Sequence, residues 1–94
     1  MREQAFENFL TMEPNITSRN AIQYRIVKGR KAEDILGTSL DVIVSDDDRM
    51  YTALVELAKH ESSNHNQLQH AVRKYYKFVN NKEFPRMRTY TASI

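Results

Sequence analysis

Ninety-four residues, 40% of them hydrophobic and 28% charged, suit one globular domain and argue against a disordered chain. No cysteine is present, so disulfides and thiolate metal sites are excluded, and a reducing, cytoplasmic setting fits. No apolar run approaches the ~20 residues of a membrane span, and the acidic residues within MREQAFENFL do not suit a signal peptide.

The net charge of +2 is unevenly spread. Residues 1–13 set Arg2 against Glu3, Glu7 and Glu13, whereas 14–31 hold Arg19, Arg25, Lys28, Arg30 and Lys31 with no acid. Residues 32–61 carry eight acids against Arg49 and Lys59, and 62–94 carry six bases against Glu83. Two basic blocks separated by an acidic one make a directional field that would steer a polyanion. Solvated helix faces also cluster charge in this way.

Two glycines and two prolines in the whole chain favour long helices over strands. The first helix is expected over about Arg2 to Met12, with Ala5, Phe6, Phe9 and Leu10 on one face. Glu13-Pro14-Asn15 breaks it, because proline cannot continue the hydrogen-bond ladder. Thr17 or Ser18 caps a second helix running to about Leu36. Its apolar arc holds Ala21, Ile22, Ile26, Gly29, Ala32 and Leu36, with Arg19, Gln23 and Arg30 nearly opposite and Lys28 and Lys31 on a flank. Gly29 is a weak point in mid-helix, or else permits a kink or a close helix crossing. Gly37 supplies the left-handed C-cap.

Leu40 to Val44 is ambiguous between a strand and a buried single turn; with no partner strand in sight, the turn is preferred. Ser45 and Asp48 have the spacing of a capping box for a third helix, and Asp46, Asp47 and Asp48 suit its positive end. Met50, Ala53, Leu54, Leu57 and Ala58 follow the helical template. After a polar loop at 61–66, a fourth main helix is expected from about Asn66 to Asn80. Leu68, Ala71, Val72, Tyr75, Tyr76 and Val79 form its buried stripe. Phe84-Pro85 closes the packed domain at residue 85, and 86–94 reads as a basic, flexible tail.

The fourth helix carries the sharpest functional signal. Asn66, Gln69, His70, Arg73 and Lys77 project from its polar side with Lys74 on a flank. Arginine can bond guanine bidentately in the major groove, and asparagine or glutamine can do so with adenine. The polar face of the second helix offers a similar mix. His60, His65 and His70 are spaced five apart, so on a shared helix successive rings diverge by ~140° and do not converge on a metal. Ser62-Ser63 with His65 has loop composition, and no phosphate-cradling glycine loop occurs. Neither an enzyme site, a cofactor site nor a small-molecule substrate is expected.

The run F-E-N-F-L at 6–10, T-S-R-N-A-I-Q-Y at 17–24, L-G at 36–37, S-L-D-V-I at 39–43 and A-V-R-K-Y-Y-K-F-V-N at 71–80 resembles the N-terminal core-binding domain of tyrosine recombinases, the phage integrases. That resemblance spans about residues 3–80. It implies an all-α, SAM-like bundle of four main helices whose second and fourth lie across the DNA major groove. Carried over by position, Arg19, Gln23, Arg30, Gln69, Arg73 and Lys77 become candidate DNA contacts, beside Lys28, Lys31, Asn66 and Lys74 from the charge pattern. The partner implied is double-stranded DNA, with a catalytic domain in the same or another chain; the recombinase catalytic residues are absent here, and Tyr90 lacks their surroundings. The rival reading is a protein-interaction or regulatory module of phage or mobile-element origin, in which the acidic 33–61 segment or exposed aromatics meet a protein partner, large groups such as Tyr51 or Tyr76 then forming a contiguous exposed patch.

Overall fold

The computed structural model describes residues 1–61 and 66–86. Among these residues the chain is all helix: α1 Glu3–Thr11, α2 Arg19–Leu36, α3 Leu40–Ile43, α4 Asp47–Ala58 and α5 Gln67–Asn80. The expected four main helices are therefore joined by a fifth of a single turn, and the ambiguous Leu40–Val44 segment is that turn. The expected tail lies outside the described residues beyond Arg86.

The helix ends follow local chemistry. Ser18 caps α2 by accepting a hydrogen bond from the Ala21 amide at 3.1 Å, and Gly37 ends it with φ +69°, a conformation in which a Cβ is strained. Ser39 caps α3 by accepting from the Val42 amide at 3.3 Å. At α4 the expected Ser45 capping box is replaced. Asp46 is the N-cap and accepts from the Asp48 and Arg49 amides at 2.8 and 3.1 Å, while the Ser45 hydroxyl donates backwards to the Val42 carbonyl at 2.6 Å. The carboxylate wins because it satisfies two free amides and sits at the positive end of the helix dipole. At α5, Asn66 adopts a left-handed conformation with no side-chain cap. Glu61 instead accepts from the Leu68 amide at 3.0 Å.

The core is continuous from Phe6 and Leu10 of α1 through Ile26 and Ala32 of α2, Leu40 and Ile43 of α3, and Met50, Leu54 and Leu57 of α4 to Leu68, Val72, Tyr75 and Tyr76 of α5. The helical stripes mark this core, with corrections at their edges. Ala5 and Ala58 are exposed, and Val79 is an exposed apolar residue. Phe78 packs against the core in its place, joining Phe6 and Tyr75 at ring separations of 5.8 and 5.3 Å. Phe84 is buried, its ring centroid 5.1 Å from that of Tyr76.

Gly29 is buried within an unbroken α2, where an added Cβ would meet Met1 Sδ at 3.1 Å and Leu40 Cδ1 at 3.4 Å. Its service is close approach between α2, the N-terminal segment and α3. The Met1 ammonium lies between Glu33 at 2.9 Å and Asp41 at 3.4 Å. Helices α2 and α5 form the most extensive pairing of the bundle, which sets Arg25 of the first basic block beside the cations of α5.

Candidate nucleic-acid interface

Helix α5 buries Leu68, Ala71, Val72, Tyr75 and Tyr76, which fixes the opposite side of the cylinder as its outer face. At ~100° per residue, Asn66, His70, Arg73, Lys74 and Lys77 fall along that outer side, with Gln69 at its margin. A cleft of about 370 Å³ opens there, walled by His70, Arg73, Lys74 and Lys77 of α5 and by Arg25 of α2. Asn15 and Ile16 of the α1–α2 loop and Glu83, Phe84 and Arg86 of the C-terminal segment complete it.

The cations of this face are held in two ways. Glu13, with a side chain only 8% exposed, lies between Lys74 and Lys77. It accepts from Lys74 Nζ at 2.7 Å and from Lys77 Nζ at 3.1 and 3.3 Å. The Lys74 hydrogen bond, helped by Lys77, holds the Glu13 carboxyl below its usual range although burial opposes this. Arg73 instead donates to the carbonyls of Phe84 and Pro85 at 3.0 and 3.3 Å, with its guanidinium 5.7 Å from the Phe84 ring centroid. It thereby staples the C-terminal segment to α5. Burial pushes the Arg73 pKa down, with Glu83 opposing.

Arg25 donates from Nη1 to the Ala21 carbonyl at 3.1 Å. Its Nε is buried without a hydrogen-bond partner among the described residues. Burial, then the positive charges of Arg25 and Arg73, lowers the pKa of His70, with Glu61 acting in the other direction. The imidazole is thus biased towards its neutral form inside a cationic surround.

The α2 positions expected to face a ligand separate from this cleft. Gln23 donates to Glu7 Oε1 at 2.7 Å. Arg30 forms a two-pronged pair with Glu3, its Nε at 2.9 Å from Oε2 and its Nη2 against Oε1. The acidic helix α1 thus occupies side chains that its sequence separation had left apparently available. Lys28 Nζ lies 5.3 Å from the Tyr24 ring centroid. Arg19 and Lys31 are exposed. None of these five lines the cleft.

Two contributors were missed from sequence. Arg25 falls near the apolar arc of α2 and so outside its polar face, although its place in an acid-free basic block was a signal. Glu13 read only as part of a helix breaker. The aromatic patch considered for a protein partner does not form around Tyr76, which is buried with its hydroxyl donating to Asp47 at 2.7 Å. Burial, then Asp47, pushes the Tyr76 pKa up to about 12.

Among the described residues no three His, Asp or Glu side chains gather as a metal-holding group, and no helix is long and apolar enough to cross a membrane. His65 of the histidine series lies outside the described residues. Comparisons with protein-family models, curated protein sequences and solved structures find no match.

Proposed function

We propose that this chain is a DNA-binding domain that engages duplex DNA through the outer face of α5. The observation that carries the reading is the alignment of Arg73, Lys74 and Lys77, each partly buried, along one side of a 14-residue helix, with Arg25 of α2 beside them. A row of cations at that spacing suits successive phosphates, which supply most of the affinity in such complexes. Asn66 and Gln69 add amide groups suited to base edges at the N-terminal end of the helix. Arg19 and Lys31 extend the positive surface of α2.

The resemblance to the core-binding domain of tyrosine recombinases supports the same reading, since it assigns the DNA to the second and fourth main helices, here α2 and α5. On that proposal the arrangement is SAM-like, the setting cytoplasmic, and the further partner a recombinase catalytic domain in the same or another chain. Gln23 and Arg30 then act first as struts to α1, and only secondarily, if released from Glu7 and Glu3, as contacts to DNA.

The test is a salt titration of binding to a random-sequence duplex. Affinity should fall steeply with salt, with log K declining by about 0.9 per phosphate contact for each decade. Arg73→Ala with Lys77→Ala removes two cations of the α5 face, and should weaken binding and flatten that slope by up to about two units. Absence of binding to any duplex at low salt would overturn the proposal.

A further inference from the structure

We propose that the cleft between α2, α5 and the C-terminal segment is a receptor for a phosphomonoester dianion. The inference shares the basic face with the DNA reading and rests on that face being turned to phosphate, but it assigns a different ligand to its concave part. Convex duplex DNA can lie across the rim of this face. A concavity of about 370 Å³ instead has the size of small-ligand sites, which a protruding terminal group or a free small phosphate enters.

The arginines carry the argument. Arg25 and Arg73 are both half-buried, and neither forms an ion pair with a carboxylate within 4 Å among the described residues. Their hydrogen bonds go to neutral carbonyls, of Ala21 for one and of Phe84 and Pro85 for the other. Half-buried guanidiniums ordinarily find an anion, because desolvation of an unpaired charge is costly. Here two of them border the same cleft, on different elements, and the buried Nε of Arg25 has no partner.

Charge balance selects the class of anion. Arg25, Arg73, Lys74 and Lys77 face the cleft with Glu83, and Glu13 lies against the two lysines. These two carboxylates leave an excess of two positive charges. A phosphomonoester offsets two of these near neutral pH, since its second pKa is ~6; an internal phosphodiester offsets one. Three terminal oxygens also accept from several donors at once, and arginine forks match that geometry. Ile16 and the Phe84 ring supply an apolar wall for the group that bears the phosphate.

The experiment compares inorganic phosphate, a mononucleotide 5′-monophosphate, and one oligonucleotide carrying either a 5′-phosphate or a 5′-hydroxyl, by calorimetry and amide chemical shifts. The expected result is shifts centred on Arg25, His70 and Arg73 with inorganic phosphate. The 5′-phosphorylated strand should bind about tenfold or more tightly than its hydroxyl twin. If the source is a free small phosphate, the mononucleotide will match the phosphorylated strand; if it is a strand end, the strand will exceed the mononucleotide.

Arg25→Gln should abolish the preference while leaving the melting temperature close to that of the parent. Arg73→Lys, which keeps a cation near the C-terminal segment, should weaken it. Equal binding of the two strands, with no shifts from inorganic phosphate, overturns the proposal while leaving duplex binding standing. Phosphate recognition without duplex binding does the reverse.

Discussion

Glu13 accepts a hydrogen bond from Lys74 at 2.7 Å across 61 positions of sequence, and through it the α1–α2 loop neutralises the centre of the basic face of α5. The carboxylate has two ammonium partners, so it serves as an internal counter-ion. Glu13→Gln removes the charge while nearly preserving shape. Stability should fall by about 1–3 kcal/mol, the range for leaving buried polar or charged groups under-satisfied, as read by urea denaturation. Phosphate affinity should rise in the same variant, with a steeper salt dependence, because Lys74 and Lys77 lose their competitor. A variant both less stable and weaker in binding would contradict the counter-ion role.

The pH dependence of that contact follows from its sign. The Glu13 pKa is lowered in the folded protein, first by Lys74 and then by Lys77. Its stabilising contribution is therefore complete above the unfolded value of ~4.3 and is lost as pH falls through the lower folded value. Thermal melts of parent and Glu13→Gln should differ most at neutral pH and converge in acid.

The helices were legible in the sequence because their causes are local. Ser18 and Gly37 bracket α2, and the 3.6-residue spacing of Met50, Ala53, Leu54 and Leu57 marks the buried side of α4. The polar site was legible only in part. The outer side of α5 follows from periodicity, but the pairing of Arg30 with Glu3 and of Gln23 with Glu7 depends on where α1 docks. Periodicity within α2 carries no such information. Arg25 was hidden for a related reason: at ~100° per residue it falls inside the apolar arc, between Ala32 and Leu36, where a long side chain can bury its stem and still present its charge at the edge.

Tyr75 links three elements through one hydroxyl. It accepts from the Arg2 amide at 2.9 Å and donates to Asp41 Oδ1 at 2.5 Å. Burial and the Asp41 carboxylate help to hold the phenol protonated. Tyr75→Phe keeps the ring among Phe6 and Phe78 but orphans the amide and one carboxylate bond. The expected cost is about 1.5–3 kcal/mol, as for a hydrogen bond to a charged group. Asp41→Asn in the Tyr75→Phe background should cost less than it does alone, and strict additivity in that double-mutant cycle would show that the two groups are uncoupled.

Gly37 tests the end of α2 with little disturbance of packing. A Cβ there meets nothing within 4 Å, yet φ is +69°. Gly37→Ala should therefore lower stability by about 1–2 kcal/mol through backbone strain alone, and Gly37→Asn by less, since asparagine tolerates this region better. Equal losses for both variants, measured by chemical denaturation, would mean that steric contact, not conformation, is limiting.

His70 gives the cleft a titration that reports on its charge. Burial and the nearby Arg25 and Arg73 lower its pKa, while Glu61 partly counters them. A histidine with a depressed folded pKa contributes stability above its unfolded value of ~6.5, and that contribution disappears as pH falls through the folded value. His70→Gln should accordingly flatten the stability profile between those limits. An anion seated beside Arg25 and Arg73 reverses the local field, so the His70 pKa should rise when phosphate binds. By linkage, phosphate should bind more tightly as pH falls through the His70 transition, until the phosphate itself protonates near its second pKa of ~6. Proton NMR of the imidazole, with and without phosphate, measures both effects. A His70 resonance whose titration is unmoved by saturating phosphate would place the anion elsewhere on the molecule.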